Sequence, residues 1–141
     1  MIKFPAIGFK GETVELYDSD ASLRRCTKTA LKKGWYRGLR ILDAAGVLHT
    51  VRDATFVRNT GQKTYPGLFA SKWIECDPDI SSEHLLTLDE VRDLVRRAFR
   101  SNRGFWESGG YNVSVLLEGI ERAESIERIW GIFSPLLTAH R

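Results

Sequence analysis

Cysteine is scarce in this chain: Cys26 and Cys76 are the only two in 141 residues. A secreted scaffold stapled by disulfides carries more, so the expectation is a cytoplasmic chain whose two thiols are reduced and unlinked. Long apolar runs are missing too. Val115-Leu116-Leu117 is typical of the longest, against the ~20 residues a membrane-spanning helix needs. The opening MIKFPAIGFKGE has no basic segment leading into an apolar run and a small-residue cleavage site, so no export signal is expected. There is no glycine-rich phosphate loop ending in Lys-Ser/Thr, no nucleophile elbow around Ser108, no zinc-finger spacing and no RNA-recognition signature. The histidines, His49, His84 and His140, belong to no spaced ligand set. His49 and Asp53 would share a strand face, but four residues of strand hold them ~13 Å apart. Asp77 and Asp79 could ligate a hard cation, although an acidic turn without further carboxylates is ordinarily a turn. Neither a metal, a cofactor nor catalysis is therefore expected.

What is present is a soluble, globular balance of 43% hydrophobic and 28% charged residues, at a length suited to one domain spanning residues 1–141. The net charge of +3 hides an asymmetry. Residues 21–72 carry eleven Lys/Arg against two Asp, whereas residues 73–141 carry eight Arg against twelve acids.

Periodicity suggests an α+β domain: an antiparallel sheet of about four strands, with an N-terminal helix and a three-helix C-terminal segment packed to one side. TVELY at 13–17 alternates as a strand does. Leu23, Cys26, Ala30 and Leu31 sit at helical spacing, predicting one helix over about 20–33 that ends at Gly34. Two β-rich runs flank Asp43-Ala44-Ala45-Gly46, predicting a hairpin that closes on a glycine with positive φ. NTGQKTYPG reads as a loop, LFASKWIEC as a strand and CDPDISSEHLLT as turn-rich. Thr87 and Glu90 form a capping box, and Val91, Leu94, Val95, Ala98 and Phe99 mark one helical face. Further helices are expected around Val113–Ile120 and from Ser125, with a glycine-broken, Trp-bearing loop before them.

Two basic clusters are candidate binding surfaces. Arg92, Arg96, Arg100 and Arg103 align along one side of the helix, about 100° from its buried face. The leading expectation is a solvated flank, with Asp89 and Asp93 as local partners. The sharper one is a protein-docking face of Arg96, Arg100 and Arg103 anchored by an exposed Trp106, since an aromatic beside arginines is the usual make-up of a hot spot. The second cluster has seven basic residues and no acid between Ala21 and Leu42. Arg24, Lys28 and Lys32 form an i, i+4, i+8 stripe beside Trp35 and Arg37, a combination that single-stranded nucleic acid binding uses. The plainer reading packs Trp35 and Tyr36 into a helix–sheet junction.

The hairpin GLRILDAAGVLHTVRDA, followed by a strand and a helical tail ending ERAESIERIWGIF, resembles in outline the layout of small bacterial immunity-type proteins encoded beside polymorphic toxins. The features that match are an Asp-to-Gly turn and amphipathic helices. The resemblance implies a cytoplasmic, non-catalytic protein that binds and neutralises a partner protein. Immunity proteins against nucleases tend to be acidic, so the basic charge here points away from a nuclease. The resemblance assigns no residue a role. Protein binding is thus the leading expectation, nucleic-acid binding through residues 21–42 the alternative, and a monomer or homodimer the expected state.

Overall fold

The computed structural model describes the chain over residues 1–63 and 72–139, with side chains described over 1–61 and 72–132. Six antiparallel strands form one sheet, β1 (Ala6–Lys10), β2 (Thr13–Tyr17), β3 (Arg25–Thr27), β4 (Arg40–Leu42), β5 (Val47–Lys63) and β6 (Lys72–Leu85), in the order β2-β1-β4-β5-β6-β3. The helices are α1 (Asp20–Arg24), α2 (Lys28–Lys32), α3 (Leu88–Ser101), α4 (Arg103–Ser108), α5 (Val113–Arg122) and α6 (Ile126–Ala139). The α+β class is as expected. The sheet has two more strands than anticipated, and the helices lie on both of its faces.

Alternation along the strands explains the two faces. Ile7 and Leu42 point into a core shared with Val91, Val95, Phe99, Trp106, Val113, Ile120 and Ile129 of the C-terminal helices. Their chain neighbours Ala6 and Ile41 point the other way, into a second core with Leu23, Cys26, Tyr36, Val51, Ile74 and Cys76. The short helices α1 and α2 flank that second core instead of joining the C-terminal layer.

The β4–β5 hairpin forms as expected. Leu42 pairs with Leu48 and Ile41 with His49, and Gly46 turns the chain at φ +84° while its N–H donates to the Asp43 carbonyl at 3.1 Å. The capping box is present as well: Thr87 Oγ1 accepts from the Glu90 N–H and Glu90 accepts from the Thr87 N–H. Below it Val91, Val95, Ala98 and Phe99 are buried.

Four expectations are corrected. The single helix over 20–33 is broken at Arg25–Thr27, which pair with Trp73–Glu75 of β6. Cys26 buries itself as well on a strand face as on a helix face, and the caps at Ser19 and Thr27 start two separate helices. The segment CDPDISSEHL is strand: β6 pairs with β5 from Lys72 to Leu85. Cross-strand pairing overrides the turn preference of these residues. Pro78 falls beyond the reach of β3, where the outer edge of β6 is open and a residue without an N–H is tolerated. NTGQK likewise continues β5, with its register shifted between Asn59 and Lys63. The rest of that predicted loop, and residues 68–71 of the predicted strand, lie outside the described residues. The Trp-bearing stretch after Asn102 is the helix α4, and α6 runs on through Ser134 and Pro135.

Candidate functional site

Two arginines of α3, Arg92 and Arg96, are engaged, while Arg97 is exposed. Arg92 Nε donates to the Ile120 carbonyl at 3.2 Å and Nη2 to the Ala123 carbonyl at 2.7 Å, while Nη1 pairs with Asp89 at 2.6 Å. These carbonyls close the C-terminal end of α5, where a cation also opposes the negative pole of the helix dipole. Arg96 lies between Asp93 and Glu121, both at 2.5 Å, and these partners, Glu121 foremost, raise its pKa above the ordinary arginine value. Arg103 pairs with Glu107 at 3.7 Å, and Arg100 is exposed. Local pairing was expected of this flank; the latch across to α5 was not.

The proposed anchor of the docking face is not at the surface. Trp106 is fully buried, its Nε1 donating to the Ala98 carbonyl at 3.3 Å and its ring packed edge-on against Phe99 with centroids 5.1 Å apart. The docking face of Arg96, Arg100 and Arg103 therefore loses its aromatic. Helix α4 folds Trp106 back under α3, because that is the cheapest place for a large ring beside an already apolar face.

The basic 21–42 region is rearranged by the break at β3. Arg24, Lys28 and Lys32 do not form one helical stripe, since Arg24 ends α1 and the lysines belong to α2. Arg24 is held by Asp77 at 2.6 Å and Asp20 at 2.8 Å, and Arg37 by Asp53 at 3.1 Å. Asp53 sits below the ordinary carboxylate range, first through the Ala54 N–H and then through Arg37. Tyr36 is core, its hydroxyl donating to the Leu23 carbonyl at 2.6 Å, and Trp35 is half-buried against the same cluster. Arg25 stacks over the Trp73 ring at 4.4 Å. Lys28, Lys32 and Lys33 are exposed, and no carboxylate among the described residues pairs with them.

Two features escaped the sequence reading. Phe56 and Val57, at a register irregularity of β5, are 52% and 49% exposed, which is unusual for adjacent large apolar side chains in a strand. In a half-buried strand alternation ordinarily covers one of two adjacent side chains. The other is His49, whose partner is Asp43, not Asp53. Nε2 lies 2.8 Å from Asp43 Oδ2, with both side chains 1% exposed. Burial opposes charge on Asp43, but hydrogen bonds from His49 and from the Val47, Lys3 and Ala45 N–H groups win and hold its carboxyl below the ordinary value. His49 Nδ1 faces the Glu83 carboxylate at 3.4 Å. A histidine held between two carboxylates braces the hairpin turn.

Asp79 lies 3.6 Å from Arg52, and with Asp77 bound to Arg24 the acidic pair is neutralised by arginine. Among the described residues no group of three or more metal-ligating side chains comes together, and no helix is long and apolar enough to cross a membrane. Comparison of the chain with protein-family models, curated proteins and solved structures finds no match to any of them.

Proposed function

We propose that this is a non-catalytic binding protein that recognises an acidic protein partner through α2 and the adjoining β5–β6 ribbon. The observation that carries the reading is that α2 presents lysines held by no carboxylate among the described residues, while β5 of the same sheet exposes Phe56 and Val57. Phe56 lies opposite Cys76, whose strand β6 pairs with β3 immediately before α2. Lys28, Lys32 and Lys33 follow Thr27, whose partner Trp73 lies on β6 three residues from the Cys76 that faces Phe56. Exposed apolar side chains on a sheet that also carries exposed lysines without a carboxylate partner among the described residues have the composition of a protein interface, where the apolar residues give affinity and the charges steer approach. Binding and neutralising a partner, as the resemblance to immunity-type proteins implies, is the specific form of this reading.

Nucleic acid is the weaker alternative. Base stacking needs open rings beside free cations. Here Tyr36 is buried, Arg25 covers Trp73, and Arg24 and Arg37 are taken by carboxylates.

The test is complex formation between the purified chain and the products of the reading frames flanking its own, followed by size-exclusion chromatography. A complex weakened by salt and by Lys28→Glu/Lys32→Glu supports the reading. Retention of a single-stranded oligonucleotide that the same pair of substitutions abolishes, with no protein complex, overturns it in favour of the alternative.

A further inference from the structure

We propose that Cys26 and Cys76 form a redox-active pair, which a hydroperoxide converts to a disulfide fastening β3 to β6 at the foot of α2. Cys26 stands opposite Ile74 in the β3–β6 register, and Cys76 follows Ile74 by two residues. The two thiols therefore share a sheet face as diagonal neighbours. They are 6% and 0% exposed and unlinked, and each lies near enough to the other and to Tyr36 to shift its titration. A buried cysteine is ordinarily a small apolar filler. Two of them side by side on one sheet face have a chemistry that filler lacks.

The pair is also asymmetric. The contact with Cys76 outweighs burial and brings the Cys26 thiol down to about 7, while the same contact and burial push Cys76 up. Cys26, on the edge strand and the more exposed of the two, is the thiol that peroxide reaches first and so the nucleophile, and Cys76, fully buried on β6, is the resolving thiol. The Cys26 thiolate attacks the peroxide; an S–O bond forms, the O–O bond breaks, and the departing hydroxide takes a proton to become water. Cys76 then attacks the sulfenic sulfur as it gives up its proton. The S–S bond forms, the S–O bond breaks, and a second water leaves. Two thiols lose two electrons and hydrogen peroxide gains them.

Diagonal Cα atoms stand ~7–8 Å apart, whereas a bridge spans about 4.4–6.8 Å, so closure draws β3 along β6 by about an ångström. A three-residue edge strand between two short helices can make that shift. Thr27, which caps α2, moves with it.

The experiment takes the reduced full-length chain, desalted, and exposes it to hydrogen peroxide at neutral pH. Thiol counting in denaturant and intact mass follow the outcome. Expected are the loss of both thiols in step, a mass lower by two hydrogens, a Cys26–Cys76 cross-linked peptide in the non-reduced digest, and recovery with dithiothreitol. In Cys76→Ser, dimedone should trap a sulfenic acid at Cys26. Two thiols that persist while free cysteine oxidises, oxygen added without the cross-link, or a bridge between two chains would each overturn the proposal. The digest of the unmutated chain decides the matter even where Cys76→Ser does not fold.

Discussion

Helices α3 and α2 are both rich in basic residues, yet their cations do opposite things. Arg92 and Arg96 of α3 are drawn into hydrogen bonds and ion pairs with α5. The lysines of α2 project from a five-residue helix that buries none of its residues. The difference does not lie in the charges. It comes from what packs alongside: α3 has a neighbouring helix that offers carbonyls and Glu121, and α2 has the open edge of a sheet. A cation beside a packed neighbour becomes structure, whereas one on an open edge remains available to a partner.

The sharpest way to break this contrast is to empty the core that gives α3 its neighbour. Phe99→Ala and Trp106→Ala should each cost roughly 3–5 kcal/mol, the usual range for truncating a buried aromatic. Urea denaturation measures it, and an unchanged midpoint in either variant would mean that the C-terminal layer is not packed as described.

A second prediction concerns the turn on which the sheet depends. Asp43 accepts hydrogen bonds from Lys3, Ala45, Val47 and His49, so Asp43→Ala should cost roughly 2–3 kcal/mol through the donors it leaves buried and unpaired. Its pKa is lower folded than unfolded. The associated stability is therefore complete above the unfolded value of about 3.9 and is lost as pH falls through the folded value. The stability gap between the natural chain and Asp43→Asn should accordingly narrow on acidification from pH 6 to about pH 3. A constant gap would remove the carboxylate from the account.

Arg92 sharpens the contrast directly. Its two bonds to backbone carbonyls are made by a charged donor that is only 17% exposed, so Arg92→Ala should cost about 1.5–3 kcal/mol. Arg100→Ala, two turns further along the same flank and exposed, should change stability by no more than about 0.5 kcal/mol. Equal effects from the two would show that the latch to α5 contributes nothing.

What could be read from the sequence was what short-range geometry dictates. The Asp43–Gly46 turn and the Thr87–Glu90 box each carry their constraint within four residues, and both formed. The break at Arg25–Thr27 was hidden because Leu23, Cys26 and Ala30 suit a helical face and β6, which captures β3, lies some fifty residues away. The length of β6 was hidden for the same reason: Asp77-Pro78-Asp79 looks like a turn until β5 and two arginines stand beside it. The burial of Trp106 did leave a signal, since it follows Phe99 by seven residues and so continues the buried face of α3 across Asn102. Asp43 and His49 left one as well, because the hairpin register alone sets Asp43 and Ile41 on one face and His49 opposite Ile41. The exposure of Phe56 and Val57 left none, as it arises from a shift of register between strands.

The smallest effect expected on stability carries the most about function. With no buried residue in α2 and no carboxylate among the described residues holding its lysines, Lys28→Ala and Lys32→Ala should each leave stability within about 0.5 kcal/mol. Charge reversal at the same positions should be equally silent in urea and should still slow association with an acidic partner, because long-range attraction acts on the rate of encounter. Rising salt should erase the difference between the natural chain and Lys28→Glu/Lys32→Glu as it screens that attraction. Stopped-flow association rates at two ionic strengths measure this. If reversal changed only the dissociation rate, the lysines would be contact residues within the interface. If it changed neither rate, α2 would be a solvated edge and the comparison with α3 would hold no functional meaning.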